Sequence, residues 1–231
     1  MQYLCENIQG VVIAYHQSDE ITLILQDYKR FNTSAWFDYE VQKLCSISAS
    51  MATMVFNKFF SRNVELWRID NKLDLANVQP SQKELADQYI VYNNAIDKGA
   101  MFDSRCFNIP KEEVTNLIYW RQLDATRNSI QMVGQANFSQ KELQNKSCNI
   151  IQDMLMTQKG INWNNFPIYQ KRGSCCIKKS YTHVETTNYS MQSVTFETTT
   201  RTRWEVDLDI PIFVNEGRNY IEDILQNIEE E

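Results

Sequence analysis

Histidine is nearly absent from this chain, and cysteine never occurs in the spacing that holds zinc. His16 and His183 are the only imidazoles, and Cys5, Cys45, Cys106, Cys148, Cys175 and Cys176 include no C-x-x-C pair. A zinc finger or ribbon is excluded on spacing. Cys175 and Cys176 are adjacent in a stretch with strand character, where neighbouring side chains face opposite ways, so they are not expected to join. Reduced, mostly buried thiols are expected. No apolar run approaches the ~20 residues of a membrane span, no cleavable leader is read at the start, and no internal repeat or low-complexity tract occurs. The expectation is a cytoplasmic protein with no membrane partner. Positive charge is also lacking in bulk: the net charge is −6, which argues against indiscriminate nucleic-acid binding. Cations are instead local, with Lys171, Arg172, Lys178 and Lys179 close together and Arg201 and Arg203 on a later strand candidate. They could meet a phosphate backbone, or they could simply keep strand edges soluble.

At 231 residues the chain can form one large domain or two small ones with real cores. Its organising stretch is Val11 to Leu25, VVIAYHQSDEITLIL, in which two β-branched runs flank the tetrapeptide Gln17-Ser18-Asp19-Glu20. This pattern predicts a β-hairpin with acid at its tip. Such a tip has two readings, a solvated turn or a Mg²⁺ site beside a nucleotide.

Before the hairpin, residues 1–10 read as the last turns of a helix ending at Gly10, without an N-terminal signal, so a further segment is expected upstream. After it, Asn32, Thr33 and Ser34 are capping candidates for a helix to about Phe59, with Phe37, Val41, Leu44, Ser48, Met51 and Val55 on one face. Residues 61–97 read as a linking segment or insertion holding one short helix, Gln82 to Asn93. Ala100 to Asn108 is expected to be a strand. Pro110 suits the first turn of a long helix to about Gln135, Ser139 opens a capping box with Glu142, and another helix stops near Gly160. Residues 172–181 and 194–208 read as a paired ribbon, and 216–228 as a closing helix.

The order is α+β. With one strand added upstream it becomes βαββαβ, a ferredoxin-like sheet of the kind used as a polymerase palm. The expected fold is therefore an α+β palm, incomplete at its N-terminus and spanning residues 1–115, followed by a helical and β-ribbon domain over 116–231.

Seven segments then carry a specific resemblance: LCENIQG (4–10), QSDE (17–20), AWFD with QK and S-x-SAS (35–50), FDSR (102–105), WRQLDATRNS (120–129), KGINWN (159–164) and KRG (171–173). In this succession the chain resembles the tRNA-histidine guanylyltransferase family, the 3′-to-5′ nucleotide-adding enzymes. The resemblance implies transfer of nucleotides from GTP or ATP to the 5′ end of tRNA with two Mg²⁺ ions, by a homotetramer. It implies Asp19 and Glu20 as metal ligands and catalytic carboxylates, and Ser18, Asp19, Lys43 and Arg105 as nucleotide contacts. Arg127, Asn128, Lys171 and Arg172 fall in the segments implied to meet tRNA or phosphate. Asp19 is the stronger ligand of the two acids, because neighbours on a strand point to opposite faces.

Read without the family, Lys43 is an exposed helix lysine, and Arg105 needs a partner for its charge. Trp120 and Trp163 read as packing residues, and Asp124 as a surface partner of Arg121 or Arg127. The family's D-x-H-I-N-N segment here reads DATRNS, with Thr126 in the histidine position, which shifts the expectation toward templated 5′-end repair. The family's opening strand, with an R-x-D-G-type motif and the second metal carboxylate, is expected to lie before this chain. Two other functions fit the pattern: a non-catalytic tRNA-binding fragment or subunit, and a palm-fold nucleotide cyclase.

Overall fold

A computed structural model of the chain describes residues 1–28, 33–190 and 193–226. The chain divides into two compact units, residues 1–35 with 108–231, and residues 36–107. The first unit is α+β and palm-like.

Its sheet has the order β2-β1-β3-β4, all neighbours antiparallel, formed by β1 (Val11–Gln17), β2 (Glu20–Leu25), β3 (Ser174–Ser190) and β4 (Ser193–Asp207). The hairpin is the expected one: Gln17 pairs with Glu20, leaving Ser18 and Asp19 as a two-residue turn. β1 lies inside the sheet, and its burial explains why its sequence is nearly all apolar: Val11, Ile13, Ala14 and Tyr15 are all buried. On one face Ile13, Tyr15 and Cys175 join Val114 and Ile118 of helix α4 (Val114–Asn137), Ile210, Phe213, and Ile221 and Leu225 of helix α8 (Asn219–Gln226) in a single core. Each large aliphatic side chain withdrawn there contributes roughly 1.5–3 kcal/mol. On the other face Cys176 hydrogen-bonds with Cys5 of helix α1 (Gln2–Asn7).

α4 is also tied to its surroundings by polar contacts. Gln122 is buried; its Nε2 donates to the Pro211 carbonyl at 2.8 Å and its Oε1 accepts from the Phe213 amide at 3.1 Å. Arg218 donates to Asn116 Oδ1 at 2.9 Å, and Trp163 Nε1 donates to Ser129 Oγ at 3.0 Å. Gln122→Ala is expected to cost roughly 2–4 kcal/mol, because it strands two buried backbone groups; urea unfolding of the variant measures it.

Several expectations need correction. Residues 100–108 form no strand; the third strand of the sheet is β3, at the other end of the chain. The first helix ends at Asn7 rather than at Gly10. Thr33 and Ser34 cap nothing, and Asn32 lies outside the described residues. Helix α2 (Val41–Asp70) begins instead after a turn in which Phe37, Asp38 and Tyr39 have φ of 52, 49 and 61°, a left-handed stretch costing about 1–2 kcal/mol per residue. It runs to Asp70, well into the region read as a linker. Helix α3 (Lys83–Lys98) forms where a short helix was expected but runs on past Asn93 to Lys98. The Ser139–Glu142 capping box opens helix α5 (Gln140–Leu143) and helix α6 (Cys148–Lys159) stops at Gly160, both as expected, and the ribbon is longer than read. The closing helix begins at Asn219, and residues 227–228 lie outside the described residues. Three of the six thiols are buried, and Cys106 is exposed; all six are free. No described helix is long and apolar enough to cross a membrane.

In the second unit the segment after α3 lies along α2 and is bound to it by side chains. Asn57 bonds both the amide and the carbonyl of Ala100, at 2.8 and 2.9 Å. Thr53 Oγ1 accepts from the Phe102 amide at 3.1 Å, Ser48 Oγ donates to Ser104 Oγ at 2.7 Å, and Cys45 Sγ lies 3.6 Å from Cys106 Sγ. Two extended residues rise about 6.6 Å, close to the ~6 Å of four helical residues, so every second residue of the segment meets a new turn of α2. The Ala100 amide and carbonyl and the Phe102 amide are thus satisfied by α2 side chains rather than by a neighbouring strand.

Candidate active site

The site is built on the turn that closes β1 and β2. Ser18 takes φ 48° there, and Ser18, Asp19 and Glu20 are all exposed. The two acids have different surroundings. Glu20 forms an ion pair with Arg121 of α4 and accepts from Gln17 Nε2 at 3.0 Å, whereas Asp19 makes no hydrogen bond or ion pair among the described residues. Arg121 is the residue that sequence reasoning missed. It pairs with Glu20 rather than with Asp124, which instead accepts from Asn128 Nδ2 at 3.1 Å.

Beside the turn lies a half-open cavity of about 380 Å³, lined among others by His16, Ser18, Asn128, Phe166, Tyr169 and Ser174. It brings Ser18 and Asn128 together, two residues 110 positions apart. Desolvation holds the His16 imidazole below its usual pKa, so near neutral pH it is uncharged. The cavity is mostly apolar with a few polar groups, and among the described residues its lining holds no lysine or arginine. His16, Phe166 and Tyr169 carried no sequence signal beyond their residue types.

Of the KRG segment, Gly173 lines the cavity, directly after helix α7 (Ile168–Arg172). The buried Tyr15 hydroxyl donates to the Arg172 carbonyl at 2.6 Å, and Gly173 follows with φ 83°. A Cβ on Gly173 would lie 2.4 Å from the His16 carbonyl and 2.8 Å from Tyr15 Oη. Only glycine lets α7 turn into β3 against β1. Lys171 donates to the Asn164 carbonyl at 2.6 Å and lies over the Trp163 ring, 5.7 Å from its centroid. Arg127 is exposed on α4. Trp120, expected to pack, is 63% exposed, so its ring is not part of the core.

Lys43 and Arg105 belong to the second unit. Lys43 pairs with Glu40 at 2.8 Å, an exposed pair one helical turn apart, and hydrogen bonding to Glu40 raises its pKa. Arg105 pairs with Asp103 at 3.0 Å, with both side chains exposed. Such pairs contribute little to stability. Among the described residues, no three His, Cys, Asp or Glu side chains gather in a metal-holding group.

Comparison with known proteins gives the family. Residues 1–110 match the model of the family described as tRNAHis guanylyltransferase (Thg1). A solved bacterial tRNA(His) guanylyltransferase-like protein in complex with ATP superposes with a TM-score of 0.69 at 36% identity, over 97% of this chain and 75% of that one. The chain belongs to the tRNA(His) guanylyltransferase family. A bacterial guanylyltransferase-like protein in complex with GTP matches with a TM-score of 0.63 at 32% identity, over 97% of this chain and 74% of the other. Among curated family members, the tRNA(His) guanylyltransferase of Saccharomyces cerevisiae is 26% identical over 181 residues, 73% of this chain and 63% of the relative. A probable tRNA(His) guanylyltransferase of Dictyostelium discoideum is 24% identical over 191 residues, 76% and 60%. The chain thus spans about 60% of the length of these curated relatives.

Proposed function

We propose that this chain is a nucleotidyltransferase acting on the 5′ end of tRNA, adding nucleotides from GTP or ATP in the 3′-to-5′ direction. The observation that carries the reading is the exposed, uncommitted Asp19 in the β1–β2 turn, next in sequence to Ser18, which lines a cavity together with Asn128, in a fold whose relatives were solved with ATP and GTP. In this reading Asp19 is the catalytic carboxylate and first metal ligand. Glu20 is held by Arg121 and Gln17, and orients the turn. Ser18, with Lys43 and Arg105 of the second unit, contacts the nucleotide. Arg127, Asn128, Lys171 and Arg172 meet tRNA or its phosphates. Thr126, in the position of the family's histidine, donates to the Gln122 carbonyl at 2.9 Å. Its hydroxyl is thus engaged with the helix backbone, which favours templated end repair over a histidine-dependent guanylate addition.

The cation in this proposal is Mg²⁺, in two copies. Asp19 offers one hard oxygen donor, and the acids nearby add no cage, a donor set that fits ions shared with nucleotide phosphates rather than ions enclosed by protein. When bound, such ions neutralise phosphate charge and lower the pKa of an attacking hydroxyl. The chain's own residues bind and align the phosphates, and His16, being neutral, adds no charge to the cavity. A cytoplasmic homotetramer completes the proposal, since several copies would pool Lys171 and Arg172 against a net charge of −6 per protomer.

The test is incubation of the full chain with a 5′-truncated tRNA, labelled GTP, ATP and Mg²⁺. Lengthening of the RNA at its 5′ end is expected. RNA bound but never lengthened would replace this reading with a non-catalytic RNA-binding one, and a cyclic product from GTP alone would replace it with a cyclase.

A further inference from the structure

We propose that Cys45 and Cys106 are a paired dithiol that closes to an intramolecular disulfide, a modification site in the unit formed by residues 36–107. Their sulfurs lie 3.6 Å apart. Closing that gap to a bond of about 2 Å takes side-chain torsion. The approach follows from the backbone rather than from chance placement. Residues 100, 102, 104 and 106 meet residues 57, 53, 48 and 45 of α2 in turn, and the other three rungs are hydrogen bonds of 2.7–3.1 Å. The sulfur pair is the fourth rung of a ladder whose spacing the helix and the extended segment both dictate. A structural thiol would be enclosed, as Cys5, Cys175 and Cys176 are; Cys106 is exposed and Cys45 half-buried, so a soluble oxidant reaches them.

The chemistry balances with a small disulfide as oxidant. One cysteine, deprotonated, attacks oxidised glutathione and releases one glutathione thiolate, leaving a mixed disulfide. The second cysteine, losing its proton, displaces the other glutathione from that mixed disulfide. The net change is two protein thiols and one oxidised glutathione converted to one protein disulfide and two reduced glutathiones. Desolvation and hydrogen bonding to Cys45 raise the pKa of the Cys106 thiol, so the first step quickens as pH rises above neutral. The bond would tie the residue after Arg105 to α2 and close a loop of some sixty residues, a constraint felt mainly by the unfolded chain.

The experiment treats the full chain with oxidised glutathione, alkylates free thiols and analyses the digest without reduction. Two of the six thiols are expected to be lost, with one peptide pair joining Cys45 to Cys106, and the oxidised protein is expected to melt several degrees higher than the reduced one. Cys45→Ser and Cys106→Ser should each abolish both the linked peptide and the shift in melting. All six thiols still reactive, stable glutathione adducts without a cross-link, or a link through other cysteines would overturn the proposal. So would a bridged protein that melts no higher than the reduced form.

Discussion

Asp19→Asn is expected to lower nucleotide addition to tRNA by about 10²–10³-fold, the usual cost of removing one group that acts on charge developing in the transition state. The side chain is exposed and makes no contact that folding would miss, so melting should stay within about 0.5 kcal/mol of the parent. That combination separates a catalytic carboxylate from a turn residue. If more than about a tenth of the activity survives, Asp19 is a solvated turn residue and the proposed ligand is wrong. Single-turnover assays with saturating nucleotide, across a range of Mg²⁺ concentrations, are the decisive measurement.

Gly173→Ala should be strongly destabilising. The added methyl would meet the His16 carbonyl at 2.4 Å, and that carbonyl belongs to a strand paired on both sides, which cannot retreat. The positive φ of 83° adds its own cost. About 3 kcal/mol or more of destabilisation is expected, read as a lower melting temperature and reduced yield of folded protein. Gly160→Ala is the comparator: its φ is 69°, but a Cβ there would have nothing within 4 Å. It should lose only the conformational part, about 1 kcal/mol. Equal losses at the two positions would show that the contact with β1 contributes nothing.

The parts of the fold legible in the sequence are those with a local physical cause. The β-branched alternation around QSDE, the Ser139–Glu142 capping box and the threonine-rich ribbon each carry their own signal, and each forms. The segment 100–108 has the same extended, apolar-polar character as a strand, yet it hydrogen-bonds to Asn57, Thr53 and Ser48 rather than to another strand. Nothing in its own residues distinguishes these partners. The turn at Phe37–Tyr39 was hidden because left-handed non-glycine residues have no sequence mark. At the site, the acidic turn was legible and its electrostatics were not. Arg121 was visible only as one more cation on a helix, and its pairing with Glu20 spans 101 positions of chain. The second unit's Lys43 and Arg105 were named through the resemblance to the family, and their exposed local pairs add no independent argument for them.

α4 carries one further consequence, for how chains of this fold can change length. Between Asn116 and Ser129 it contacts Arg218, the β1–β2 turn, the Pro211–Phe213 backbone and Trp163, each through one side chain. A single inserted residue would rotate everything beyond it by about 100° and shift it by about 1.5 Å. The contacts on the two sides of the insertion could then not be made together. Homologous chains are thus free to vary the composition of α4's exposed face, but not the number of residues between those contacts; insertions and deletions should fall in the loops that flank the helix.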